Sequence, residues 1–340
     1  MSSSEVLQNG AVLGFLFGIL ALFWSFATGD RWVRSWLHFK RDRVGQVALG
    51  ILGLYCLVGA AGLFTIGSKS LIDQLFVNVP IEQSYSAPFA KITWSADPAR
   101  ATPLKGFHLL GTNALGKDVL MQTMKACSTA LLIGGVTSLI YIPIGVIFGI
   151  AAGYFRGWVD DLITFLYSTL SSIPNILLLV SILLVFGKGI PQIACALSVT
   201  SWIGLCRLLR GETLRESQRQ YVEAARGLGQ SHSAIIFRHI LPNIMHLVFI
   251  NFVLGFSGLV LAEAVLSYLG VGTPIGTASW GGMIDGARME LSREPAVWWN
   301  LLAATGALFL LVLSLNLLGD SLRRAFDPKA TNLTRRVIGN

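Results

Sequence analysis

Read for runs without charge, the chain divides into seven apolar stretches, at residues 6–29, 46–67, 126–155, 163–187, 189–206, 242–262 and 296–319. Each approaches or exceeds the roughly 20 residues that a helix needs to cross about 30 Å of hydrocarbon. The pattern therefore predicts an all-α, polytopic bundle of seven transmembrane helices, the first with its core at 10–28. Pro143, Pro174 and Pro191 fall within runs, where each removes a backbone donor and predicts a kink. Gly145, Gly149 and Gly153 recur every four residues, a spacing that lets helices approach closely. The second and third runs are separated by the one long polar loop, 68–125, with four prolines and a short amphipathic turn at Ile72, Leu75 and Phe76.

Composition agrees with a membrane protein: of 340 residues 53% are hydrophobic and 13% charged, whereas soluble domains carry about 25% charge. The net charge of +8 raises a nucleic-acid partner, but the Lys and Arg residues lie in the loops between spans, so none is expected. Their distribution orients the chain instead, because cytoplasmic loops hold the excess. An outside N-terminus and cytoplasmic C-terminus put 17 of the 26 Lys and Arg residues in the inner loops 30–45, 156–162 and 206–241 and the tail 320–340. No basic residue precedes the first run and no cleavage site is followed by a soluble domain, so it reads as a retained anchor. Trp32, Trp36, Trp158, Trp280, Trp298 and Trp299 lie near span ends, where such rings anchor at the lipid headgroups. Cys56, Cys127, Cys195 and Cys206 form no CxxC pair and read as buried thiols.

The inner loop 207–241 has more design than a connector needs. It reads as two short helices and a turn: Leu214, Tyr221, Val222, Ala225 and Leu228 gather on one face, with Arg215, Glu216, Arg219, Glu223 and Arg226 opposite. Gly227 and Gly229 supply the turn, Ser231 caps a helix carrying Ile235, Ile236 and Phe237, and Pro242 closes it. Such a unit is shaped to be gripped by another protein, or to lie on lipid. A DNA-binding helix-turn-helix is excluded because the second helix runs into a span.

The string Glu223-Ala224-Ala225, then Gly229, closing on Leu241-Pro242, resembles the EAA loop of bacterial ABC importer permeases. Arg238-His239-Ile240-Leu241-Pro242-Asn243 is similar to the dipeptide and oligopeptide branch, with His239 where the wider family has an apolar residue. Residues 111–120 also resemble that branch, with Asn113 for its usual Asp and Lys117 for its Arg. So do Leu261-Ala262-Glu263-Ala264, Leu269-Gly270-Val271-Gly272, Ser279-Trp280-Gly281 (after Ala278 rather than proline) and Asn316-Leu317-Leu318-Gly319-Asp320 running to Asp327-Pro328.

The resemblance covers roughly residues 31–329. It implies a six-helix permease core plus an extra N-terminal helix at 1–30, with 31–67 holding a basic segment and the first core helix. The loop 68–125 would face the periplasm or exterior, 126–329 would hold five core helices, and 330–340 would be a cytoplasmic tail. It further implies a bacterial inner-membrane subunit that couples through Glu223, Ala224, Ala225, Gly229, Arg238, His239, Leu241 and Pro242 to one of two ATPase subunits. As other partners the resemblance implies a second homologous permease, an extracytoplasmic solute-binding protein and membrane lipid. The cargo is of the dipeptide or oligopeptide class.

No phosphate loop ending Gly-Lys-Ser/Thr is present, so ATP and Mg belong to partner subunits and the chain itself is expected to be no enzyme and to hold no cofactor. Histidines 232, 239 and 246 recur every seven residues, but Pro242 reads as breaking the helix between the last two, which counts against a metal face. Glu263, Pro174 and Pro143 are candidates for the pathway or its gating, and Glu263 is expected near the outer interface within reach of water. Two rival readings are a secondary transporter driven by an ion gradient and a non-transporting membrane scaffold. The first would want paired intramembrane carboxylates or inverted repeats.

Overall fold

The structure is a computed structural model that describes residues 36, 39–66, 69–93, 102–274 and 276–326. The first apolar run, the basic residues at 31 and 34, and the tail 330–340 lie outside the described residues. Within them the fold is an all-α polytopic bundle: α1 (Arg43–Leu63), α2 (Leu71–Leu75), α3 (Val119–Phe155), α4 (Gly157–Ser171), α5 (Asn175–Phe186), α6 (Ile190–Glu216), α7 (Gln220–Gly227), α8 (His232–Ile235), α9 (Leu241–Tyr268), α10 (Trp280–Glu290) and α11 (Trp299–Phe326). Two-residue strands β1 (Thr65–Ile66) and β2 (Lys69–Ser70) pair antiparallel after α1.

Five of these helical segments are long and apolar enough to cross a membrane, and α4 with α5 make a sixth if the bent pair is one span. That pair corrects the reading of 163–187 as one helix. The chain turns by 84° at the break before Pro174, where the ring cannot donate the bond that would continue α4. Pro143 by contrast sits inside an unbroken α3, and Pro191 is at the start of α6, where a missing N–H costs nothing. Helix α3 begins seven residues before the apolar run and, at about 1.5 Å per residue, is about 55 Å long, more than a bilayer core.

Two compact units are present. One holds residues up to 132 and 263–321. In it Asp42 caps α1 by accepting from Val44 and Gly45 N–H, and Ser321 Oγ of α11 donates to the same carboxylate (2.7 Å). The Trp280 and Trp299 indoles donate to the backbone carbonyls of Thr123 (3.1 Å) and Thr112 (3.0 Å). Both rings are buried, which corrects their reading as headgroup anchors; Trp36, Trp158 and Trp298 are exposed. The apolar-turn expectation materialises as α2, closed by a Ser70–Asp73 capping box. Cys127 is buried as expected of all four cysteines, but Cys56 is exposed on α1.

The other unit holds 133–262 and the residues from 322. Its central contact is α3 on α6. A Cβ at Gly145, Gly149 or Gly153 would lie 3.0, 2.8 or 2.7 Å from Leu205, Leu209 or Arg210 atoms, so the four-residue repeat is a groove that receives α6. Cys206 is buried in this unit and Cys195 exposed. Arg210 forks onto Asp160 of α4 (2.5 and 2.6 Å), and Arg207 bonds Ser171 and covers the Tyr167 ring. These partners let α6 run ten residues past its apolar stretch.

Candidate functional site

The loop 207–241 lies wholly in the second unit. Its first helix is interrupted: α6 ends at Glu216, and α7 starts after Arg219. On α7, Val222 (0% exposed) and Ala225 turn inward, while Glu223, Ala224 and Arg226 face out. Leu228, expected on the inward face, is 82% exposed, because α7 has ended before it and the chain has begun to turn. Phe237 is 69% exposed as well. The outer face of the loop thus offers a carboxylate, small residues and two large apolar side chains to solvent.

Gly229 sets the turn. Its φ is +73°, and it stands just past the end of α7. Gln230 N–H donates to Ala225 O (3.1 Å) and Gly229 N–H to Arg226 O (2.9 Å), the paired bonds of a Schellman cap. Ser231 then caps α8 through Ala234 N–H (3.3 Å). Pro242 does not end the helix. Residues 236–240 form a π-turn in which Leu241 N–H reaches back to Ile236 O, and the helix continues without interruption to Tyr268. The extra residue of the π-turn absorbs the misfit of the proline ring.

The loop is bound to three long helices. The Tyr221 hydroxyl donates to buried Glu216 at the end of α6 and accepts from Asn243 of α9 (3.2 Å); Asn243 also donates to His239 O (2.6 Å). His239 shares a hydrogen with Gln230 (2.9 Å), which closes the π-turn back onto the α7–α8 turn. At the end of α3, Tyr154 bonds His232 (2.9 Å), Arg226 lies over its ring, and Arg156 donates to Ser217 (3.2 Å). Helix α7 is thus joined to α6 and α9 by the Tyr221 hydrogen bonds and to α3 by the Arg226–Tyr154 ring contact (5.2 Å). Tyr154 was not singled out in the sequence; Tyr221 and Glu216 were placed on opposite faces of the first loop helix and Asn243 in the branch string, and no local signal shows that the three bond to one another.

The remaining candidates lie apart from this loop. His246 stacks on Phe326 (5.9 Å), so the three histidines have separate partners and share no site. Glu263 is 1% exposed, contrary to the expectation of water access; Ser267 donates to its Oε1 (2.7 Å) and Oε2 has no partner. Ser267 also receives Thr273 N–H, so the carboxyl fixes the turn from α9 toward α10. Asn113 accepts from Leu115 and Lys117 N–H (2.9 and 3.0 Å), bonds that the branch's usual aspartate would also accept.

The family of inner membrane components of binding-protein-dependent transport systems matches residues 145–332, which include the whole loop. The chain belongs to that family. This inner membrane component is 33% identical over 299 residues, 88% of its length, to the oligopeptide transport system permease protein of Bacillus subtilis, covering 90% of that relative. It is 35% identical over 300 residues to the dipeptide transport system permease protein of the same organism, covering 87% of this chain and 85% of the relative. It is also 36% identical over 299 residues to the glutathione transport system permease protein of Escherichia coli, covering 88% and 90%. The inner membrane component is accordingly a multi-pass membrane protein and a permease subunit.

Proposed function

We propose that the chain is the transmembrane subunit of an ATP-driven importer of short peptides, with the loop 207–241 as its coupling element. The observation that carries this is the bonded path from the exposed α7 face through Tyr221 and Asn243 into α6 and α9. Two ATPase subunits, a homologous permease, a solute-binding protein and surrounding lipid complete the assembly. ATP and Mg reside on the ATPase subunits, and this chain performs no hydrolysis. Closure of the ATPases on ATP pushes α7, and the bundle rocks between outward and inward openings. Glu223 and the apolar Leu228 and Phe237 make the contact, while the Gly229 turn holds them in place. The inner-face loops carry most of the Lys and Arg, which supports a cytoplasmic C-terminus in the inner membrane.

Glutathione, itself a tripeptide, is a second cargo reading, favoured by the 36% identity to the glutathione permease. The assembly is tested by mild-detergent capture of the tagged chain with mass spectrometry, wild type against Glu223→Lys. Recovery of ATPase subunits with the wild type, and their loss together with uptake in an inserted Glu223→Lys chain, is the expected outcome. Normal ATP-dependent uptake by Glu223→Lys would refute the assigned role of the loop. Competition between trialanine and glutathione for uptake then separates the two cargoes.

A further inference from the structure

We propose that a recess in the membrane-spanning part of this chain, between Tyr141, Ser201 and Asn251, holds the peptide backbone of the cargo through uncharged hydrogen-bonding groups; the proposal rests on the importer function above. The recess has a volume of about 270 Å³ and is walled by α3, α6, α9 and the first residue of α5, all within one unit. That is just below the roughly 300–1,000 Å³ of small-molecule pockets, so it takes a segment of an extended peptide.

Its polar members are Tyr141, Asn175, Thr200, Ser201 and Asn251, and none of its lining residues is charged. Tyr141 is 2% exposed; its hydroxyl lies by the Ser138 hydroxyl, which gives its own proton to Gly134 O (2.7 Å), and has no further partner among the described residues. The Asn175 and Asn251 side-chain amides have no partner among the described residues, although Asn251 lies in the middle of an apolar helix. Thr200 and Ser201 give their protons to Leu197 O (3.2 and 2.7 Å), which leaves their oxygens as acceptors. The start of α5 has no side-chain cap, so orphan backbone N–H donors adjoin the same space.

Two glycines add an independent argument. Gly204 and Gly258 line the recess in mid-helix, and a Cβ at either would meet nothing within 4 Å. Glycine is a poorer helix former than alanine, and no packing among the described residues accounts for either one. A wall that combines side-chain amides with hydroxyl acceptors fits a ligand that is itself a run of amides. Without a charge it is blind to the charges of the cargo's side chains, as a carrier of varied peptides requires.

The test uses the whole importer complex in proteoliposomes, with Cys56, Cys127, Cys195 and Cys206 replaced by alanine. Asn251→Cys and Ser201→Cys are treated with a small membrane-impermeant methanethiosulfonate during ATP turnover. Both are expected to react at least about 10-fold faster than Leu184→Cys on the exposed apolar side of α5, because a thiol in hydrocarbon stays protonated. Equal rates overturn the proposal. In complexes retaining the native cysteines, Tyr141→Phe and Asn251→Leu are expected to lower trialanine uptake by about 3- to 10-fold, the worth of one hydrogen bond, with every subunit still bound. Unchanged uptake overturns it. So does loss of the sister permease on Gly204→Leu, which would make the recess a subunit contact. A wild-type complex that takes up no trialanine while position 251 labels would refute the peptide-importer reading itself, so the two failures are distinguishable.

Discussion

Gly229→Ala isolates the conformation of the coupling turn from its contacts. The residue has φ +73°, and a Cβ there would meet nothing within 4 Å, so the substitution brings no clash. Its cost is the left-handed backbone alone, about 1–2 kcal/mol for a residue with a Cβ. That sets a ceiling of about 5- to 30-fold on the loss of the docking-competent turn, and hence on the weakening of ATPase-subunit binding. Gly229→Asn should weaken binding less, because asparagine visits this region more readily. Gly227→Ala is the internal control: Gly227 is in α7, has no positive φ and has equally open surroundings. It should be neutral or favourable, since alanine is the better helix former by about 1 kcal/mol. The assay is titration of purified ATPase subunits onto the permease in lipid nanodiscs. Gly227→Ala weakening binding as much as Gly229→Ala would refute the argument, because it would mean that the partner presses on the glycine backbone itself.

Further expectations concern packing and pH. Gly149→Leu should abolish recovery of monodisperse protein, since even a Cβ would fall 2.8 Å from Leu209, whereas Gly286→Ala, with nothing within 4 Å, should purify as the wild type does. Burial raises the Asp73 carboxyl, but hydrogen bonds from Lys125 and Ser70 outweigh it and hold the group below the usual carboxylate range. The stability this contributes is present above the ordinary aspartate value and is lost as pH falls through the lowered one; Asp73→Asn should remove that acid-side fall in thermal melts. Burial pushes the Glu290 carboxyl up despite hydrogen bonds from Asn300. Its ionisation therefore opposes the fold as pH rises past the ordinary glutamate value, and Glu290→Gln should flatten the decline in melting temperature toward alkaline pH.

Within the described residues five spans, and a sixth as the bent α4–α5 pair, were legible because long uncharged runs leave little else to fold in hydrocarbon, and the glycine repeat at 145, 149 and 153 marked a close helix approach without naming α6 as the partner. The span ends were not. Helix α6 carries Arg207 and Arg210 beyond its apolar part because Ser171 and Asp160 answer them, and those pairings are set by tertiary position; Arg215 pairs within the helix, with Glu212 three residues before it. The loop 207–241 was legible as a motif and as a turn at Gly229, but its hydrogen bonds to Tyr154 and Asn243 join residues 78 and 22 positions apart. Trp280 was misread because tryptophan near a span end usually meets headgroups, and only the fold shows Thr123 O waiting for its N–H.

The π-turn at 236–240 also fixes the rotational setting of α9. One extra residue in a helix turns everything after it by about 100°. Residues 236–240 already hold one residue more than an α-turn, so a single deletion there is absorbed as the segment relaxes to regular α-helix, whereas a deletion in α9 ahead of Asn251 has no such slack and would turn Asn251 and Gly258 off their wall while the motif on α7 stayed in place. Residue count, as much as residue identity, is thus a constraint on this chain, and single-residue insertions or deletions in α9 between Leu241 and Asn251 should be less tolerated than a deletion within 236–240.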